Sequence, residues 1–380
     1  MKTKQLFLWM LFTVLLIFVS GDVIAGSTTG NKEGAKKNSS VLKFKKFNYI
    51  DKEGAGIEAF HFLMPADWRF EGGIRWVLDK PTMPASVGFR VFDPRGTAEF
   101  EVFPNQNFFW TNNPTILSLF PAGSRYFGNE IRQPVPAQKA LVAIVLPRFR
   151  QRYGGMKIIK QQDVPELAKA VGAGAPQAGA TTSADAAKVR IEYQKNGVMM
   201  EEEIYCVVET MTFSTQSMYG PVSSTYWFTE YLFSFKAEKG KGEPFVKVLQ
   251  TIAYSFRLNP AWYAKYSRMI EYLAQRQIRQ IQSVGQISRM LSQMSDQMSR
   301  ENLAQFEKRQ AVNDKLSENF SDYVRGVDKY IDPYEGKAVD MPSGYNHAWV
   351  NNNGEYIVTD NPNFNPNVES NLHWQEMQKK

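Results

Sequence analysis

The side chains best equipped for contact chemistry crowd the C-terminal end of the chain. Tyr334, Tyr345, Trp349, Tyr356, Phe364 and Trp374 are interleaved there with Asn351, Asn352, Asn353 and Asn361. Aromatic faces stack on sugar rings or peptide groups, and carboxamides supply a donor and an acceptor each. Tyr345, Trp349, Asn351 and Tyr356 are therefore the candidate ligand-contacting residues. The same rings have a plainer use, since a small module has little else to bury. Core packing is the first reading of them and a ligand surface the second. Strand alternation sets Trp349 with Asn351 on one face and Ala348 with Val350 on the other; Tyr356 and Val358 share a face, opposite Ile357.

Other chemistries find weaker footing. Cys206 is the sole cysteine and sits in "EEEIYCVVETMTF", a strand-like run, where it reads as a small buried hydrophobe. A thiolate nucleophile or a zinc site needs histidine partners, and His61, His347 and His373 are far apart in sequence. No G-x-S-x-G or H-E-x-x-H occurs, and "GAGAPQAGA" lacks the strand and helix that frame a phosphate loop. "DNPNFNPNVES" lacks the glycine and ligand spacing of a calcium loop and reads as a Pro/Asn turn. Glu201, Glu202 and Glu203 alternate faces on a strand and read as its solvated start. Nothing in the spacing selects a glycosidase carboxylate pair. No catalytic residue, metal or cofactor is assigned.

The elements that must position these groups divide the chain. Residues 41–260 read as an α+β domain of short strands and helices. Asp93-Pro94-Arg95-Gly96 and Asn196-Gly197 supply hairpin turns. "VPELAKAVG" and "EPFVKVLQTIAYSFRLN" read as short helices, the second ending near Ser255. Residues 172–187 are small and low in complexity and read as a flexible loop. From Ala261 the spacing of Tyr263, Tyr266, Ile270 and Leu273, then Val284, Ile287, Leu291, Met294 and Met298, predicts one long helix over 261–319. It would either pair as a coiled coil, giving self-association, or lie along its own domain. Residues 320–380 read as a small aromatic, Asn-rich β-module, with strands at "KAVDMP", "NHAWVNN" and "GEYIVTD". The expected fold class is α+β: a mostly antiparallel sheet packed with helices, then a long α-helix and a small C-terminal β-meander.

Composition bounds the rest. The chain has 380 residues with 43% hydrophobic and 22% charged, an ordinary globular balance that needs no disulfide. Lys2 and Lys4 precede an apolar run from Leu6 to Val19 and a small-residue site at Val23-Ile24-Ala25. That pattern reads as a signal peptide over residues 1–25, too short to span a bilayer, followed by a disordered leader at 26–40. The expectation is an exported protein, periplasmic or extracellular, without a stable transmembrane span. The net charge of +7 is mild and lacks the dense basic stripe of a nucleic-acid binder.

The segments "FHFLMPADWRFEGGIRW", "LPRFR", "EIYCVVETMTF", "WFTEYLFSFKAEKG" and "FVKVLQTIAYSFRLNPAW", within residues 57–262, resemble PsbP/DcrB-like domains. In that fold an apolar strand reaches P-x-x-W, matched by Pro65 and Trp68. A late helix ends in T-I-x-x-S-F, matched by Thr251, Ile252, Ser255 and Phe256. The resemblance implies an antiparallel sheet packed with helices, serving binding or assembly, and carries over no catalytic site. The long helix and the C-terminal meander have no counterpart in it; they look like pieces of uncharacterised exported bacterial proteins. The expected function is non-enzymatic binding or assembly at the cell envelope, with an envelope component or polysaccharide as partner. The alternatives are a secreted hydrolase acting on a polymer through carboxylates, and a carrier of an apolar ligand.

Overall fold

The computed structural model describes residues 41–77, 83–170, 173–174, 179–217, 220–275, 327–368 and 370–380. The chain opens with β1 (Leu42–Ile50) and β2 (Glu58–Pro65), followed by β3 (Arg69–Trp76), β4 (Ala85–Phe92), β5 (Glu99–Val102) and β6 (Gln106–Thr111). An excursion then carries α1 (Pro114–Leu119), β7 (Arg125–Tyr126) and β8 (Asn129–Ile131). α2 (Ala137–Ala140), a π-turn at Leu141–Val145 and α3 (Leu146–Phe149) run on as one helical segment. β9 (Lys157–Asp163) and α4 (Pro165–Ala170) precede three long strands, β10 (Thr181–Lys195), β11 (Val198–Ser217) and β12 (Gly220–Glu238). Next come α5 (Val246–Tyr254), β13 (Arg257–Leu258) and α6 (Pro260–Gln275). The C-terminal part contributes β14 (Val327–Ile331), β15 (Ala338–Pro342), β16 (His347–Asn351), β17 (Glu355–Thr359), β18 (Trp374–Glu376) and β19 (Gln378–Lys379).

These strands form three sheets. The largest has ten strands and runs β3-β4-β5-β12-β11-β10-β9, with β6 also on β12 and carrying β8 and β7. A six-stranded sheet runs β13-β2-β1-β17-β16-β18, and a small one runs β15-β14-β19. The Asn196-Gly197 turn closes β10 onto β11 with φ of 52° and 80°, the pair of left-handed residues that a tight hairpin requires. A bulge between Tyr205 and Val207 opposite Glu230–Phe233 puts Tyr231 at φ 46°. It shifts the side-chain alternation along β12, so that Trp227 and Leu232 both face the helical segment.

Each face of the large sheet has its own core. On one, the helical segment covers Val189, Ile191, Ile204, Cys206, Val208 and Trp227. The other packs against the six-stranded sheet through phenylalanines. Phe60, Phe62, Phe89 and Phe256 stack on one another at centroid distances of 5.0–6.2 Å, and Phe89 continues to Phe100 at 6.2 Å. Both faces of β2 are therefore buried, which explains its unbroken "AFHFLMP".

This is a mostly-β protein, and the α+β expectation with a long helix is corrected. Two physical reasons stand out. First, the long strands take in residues that read as loop. Ala184, Ala186 and Ala187 of the expected loop 172–187 pair with Glu209, Val207 and Cys206, because small side chains fit under α4 and the helical segment. Second, α6 has 16 residues, about 24 Å at 1.5 Å per residue, and its apolar stripe turns inward. Trp262, Tyr266, Met269, Ile270 and Leu273 are all buried against the β-core. The remainder of the expected helix, 276–319, lies outside the described residues, as do the coiled-coil seam expected there, the signal 1–25 and the leader 26–40. The three C-terminal strands read from sequence are present. Two of them extend the sheet begun by β1, with Leu42 opposite Val358 and Phe44 opposite Tyr356, while β15 pairs with β14.

Candidate functional site

The turn that joins β1 to β2 is built around one buried carboxylate. Asp51 is 1% exposed and accepts the Trp262 indole N–H at 2.7 Å and the Trp76 indole N–H at 3.2 Å. It also accepts the backbone N–H groups of Gly54 and Ala55 at 3.1 and 3.0 Å. Four donors satisfy the charge, as a buried carboxylate requires. They tie the turn to the end of β3 and to the first turn of α6. The consequence lies on the turn's outer side, where Lys52 and Glu53 are held in the solvent.

Beside that turn, the end of β1 and the edge strand β3 enclose an open groove of about 720 Å³. Phe47, Tyr49 and Phe70 line it as half-buried rings, with Phe47 stacked on Phe70 at 4.3 Å. Asn48, Lys52, Glu53 and Arg75 form its exposed rim. The floor is the Gly72-Gly73 stretch of β3 with Gly88 of β4. Gly73 is required by close approach. Its φ is +145°, and an added Cβ would sit 2.2 Å from the Tyr49 hydroxyl. The Ile74 N–H donates to that hydroxyl at 3.1 Å and fixes the ring across the strand. Burial raises the Tyr49 phenol above its ordinary range, outweighing the opposing Ile74 hydrogen bond. It stays a neutral O–H that can still donate to a ligand. Glu53 is the one carboxylate lining the groove, and no histidine, serine or cysteine lines it. Rings with a mixed polar rim suit a ligand that offers flat apolar faces and hydroxyl or amide groups.

The residues chosen from sequence are divided between two faces of the C-terminal strands. Val350 lies opposite Tyr356 and Trp349 opposite Ile357, so Tyr356 and Trp349 point to opposite sides. Tyr356 is buried and donates to the Asp332 carboxylate at 2.8 Å. Burial first and Asp332 second push its phenol far up. Asn351 is 1% exposed, and its carbonyl oxygen accepts the N–H groups of Asn353 and Glu355, both at 3.0 Å. It shapes the turn between β16 and β17. Trp349 is half-buried between Ile357 and Glu376, and Tyr345 is half-buried with its carbonyl accepting the Tyr330 hydroxyl at 3.1 Å. None of the four lines the groove.

The charged residues that read as a solvated strand start are instead inside. Glu202 is 1% exposed and receives Arg150 in two hydrogen bonds of 2.9 and 2.6 Å, with the Tyr193 hydroxyl at 2.8 Å. Arg150 also reaches Glu101, and Lys236 bridges Glu101 and Glu99 at 2.8 and 2.7 Å. Burial opposes the charge on Glu202. The Arg150 guanidinium and the Lys236 ammonium more than offset it and hold the carboxyl down at about 2. Alternation was read correctly, but the cations that cover Glu202 come from strands and a helix distant in sequence. Cys206 is buried, and burial pushes its thiol up, away from the thiolate that nucleophilic attack requires. Among the described residues, no group of three or more His, Cys, Asp or Glu is placed to hold a metal ion. No described helix is long and apolar enough to cross a membrane. The sequence matches no family model and no curated protein, so the chemistry of the groove rests on its own geometry.

Proposed function

We propose that this is a non-catalytic binding protein of the bacterial cell envelope, whose groove takes a segment of envelope polysaccharide. The observation that carries the reading is the groove itself: three half-exposed rings, a polar rim and a single carboxylate. Sugar rings stack on Phe47 and Phe70, while Asn48, Lys52 and Arg75 supply donors to hydroxyl and carboxylate groups. Glycoside hydrolysis commonly needs two carboxylates flanking the bond. Here Glu53 stands alone, and Glu99, Glu101 and Glu202 are neutralised by Lys236 and Arg150. A carrier of apolar ligands needs space between the sheets, and Phe60, Phe62, Phe89 and Phe256 fill it. The likeness of residues 57–262 to PsbP/DcrB-like binding modules points the same way. The leader over residues 1–25 supports export.

Calorimetric titration of the full chain with soluble cell-wall glycan fragments tests this. Binding is expected, and Asn48→Ala and Arg75→Ala, both on the exposed rim, should each weaken it by about tenfold, the loss of one hydrogen bond to a polar or charged group. Absence of binding by the parent chain, or equal affinity in both variants, overturns the assignment.

A further inference from the structure

A second surface, remote in sequence from the groove, has a different chemistry. The excursion between β6 and β8 holds Leu119 and Phe127 at 70% and 65% exposure, and α1 buries none of its residues. The apolar tip is built rather than frayed. Tyr126 makes edge contacts with Phe127 at 4.6 Å and Phe120 at 5.1 Å, and stacks on Phe109 of β6 at 4.9 Å. Phe127 itself has φ of +47°, a conformation that is costly for any residue with a Cβ, and it holds the ring in solvent.

Charge is segregated around this tip. Residues 103–162 contain eight Lys or Arg and one acidic residue, Glu130, a local excess equal to the +7 of the entire chain. Arg150 is buried in its own network, and Glu130 is taken by Arg132 and Arg148. Arg125, Lys139, Arg152 and Lys157 are exposed. An ordered apolar tip on a cationic surface is complementary to a bilayer with anionic headgroups: Leu and Phe enter the acyl boundary while Arg and Lys meet the phosphates. We propose that the 112–131 excursion docks this protein on an anionic lipid surface, inserting Leu119 and Phe127 with Arg125 at the headgroup level. This surface goes beyond the groove and does not depend on what the groove binds.

The test uses the full chain carrying Leu119→Cys labelled with nitrobenzoxadiazole, since buried Cys206 is closed to the reagent in the folded protein. Met199→Cys, at the opposite end of β11 and 43% exposed in the parent chain, is the control. With phosphatidylglycerol-containing vesicles the label at 119 should brighten and shift to the blue, and the label at 199 should not. Pure phosphatidylcholine vesicles should leave both unchanged. Arg125→Glu in the labelled Leu119→Cys chain should weaken the response about thirtyfold, two charges' worth near an anionic surface. Lys139→Glu, outside the excursion, should weaken it comparably if the loop tolerates no change at 125. A silent label at 119, an equal response at 199, or an equal response to neutral vesicles overturns the proposal. So does a response that appears without vesicles on raising protein concentration, which assigns the tip to a second copy of the chain.

Discussion

Replacing Arg150 by Met isolates the energetics of the buried charge network. The Arg150 and Glu202 side chains are 2% and 0% exposed, so removing the guanidinium strands a carboxylate with Lys236 as the remaining nearby cation among those that depress it. Breaking a buried pair from one side costs about 3–5 kcal/mol. The pH dependence gives a second, signed expectation. In the parent chain Glu202 titrates at about 2 against 4.5 when unfolded. At about 1.4 kcal/mol per pH unit its ionisation contributes about 3 kcal/mol. That contribution is complete above pH 4.5 and lost as pH falls toward 2. In Arg150→Met, burial is no longer offset and the folded carboxyl moves up instead. The variant should then regain stability between pH 7 and pH 5, a window in which Glu202 adds no slope to the parent. Urea unfolding followed by tryptophan fluorescence at the two pH values measures both effects. Adding Glu202→Leu should restore most of the loss, since an apolar pair replaces an ionic one without an orphan charge. A loss under about 1 kcal/mol at pH 7, with no gain at pH 5, would refute the reasoning and make the pair a solvated one.

Gly73→Ala should cost about 2–3 kcal/mol in urea unfolding, because its Cβ meets the Tyr49 hydroxyl at a φ of +145°; a change below about 0.5 kcal/mol would mean that Tyr49 is not fixed there. Tyr356→Phe removes a hydrogen bond to the buried Asp332 carboxylate and should cost about 1.5–3 kcal/mol by the same measurement. Asn351→Ala deprives two turn N–H groups of their acceptor and should lower stability by about 1–2 kcal/mol, without altering glycan affinity. Cys206 should resist a disulfide reagent in the folded chain and react fully once urea unfolds it; fast labelling of the native protein would contradict its burial.

Local turn chemistry was legible. Asn196-Gly197, Asp93-Pro94-Arg95-Gly96 and Asn353-Gly354 all join paired strands, and α5 ends at Ser255 where the sequence places its close. Those signals are short-range, so one segment contains the whole cause. Pairing partners were not legible, because edges of similar alternation compete and the choice depends on distant chain. "DKYIDP" read as a transition and is β14, and the apolar stripe of α6 reads equally well for a partner helix or for its own β-core. The groove escaped notice for the same reason. Phe47 to Glu53, Phe70 to Arg75 and Gly88 are unremarkable one at a time, and only β1–β2 and β3–β4 pairing brings them together. The one available hint was the adjacent Gly72-Gly73 inside a strand pattern, which marks a close approach. The C-terminal aromatics drew attention by density, yet the pairing of Phe44 with Tyr356 gives the latter a core to fill.

That pairing has a consequence for the order of assembly. β1 is the first described strand to leave the ribosome, and its partner β17 is among the last. Until then β1 has β2 on one side only, and its other edge, with Phe44 beside it, stays open. Closure of the six-stranded sheet is an event of very high contact order, so it comes late and slowly. A chain handed over vectorially, as an exported one is, would stay incomplete to the end of its passage. A nonsense codon anywhere before Glu355 would release a product whose first strand is a bare template for aggregation.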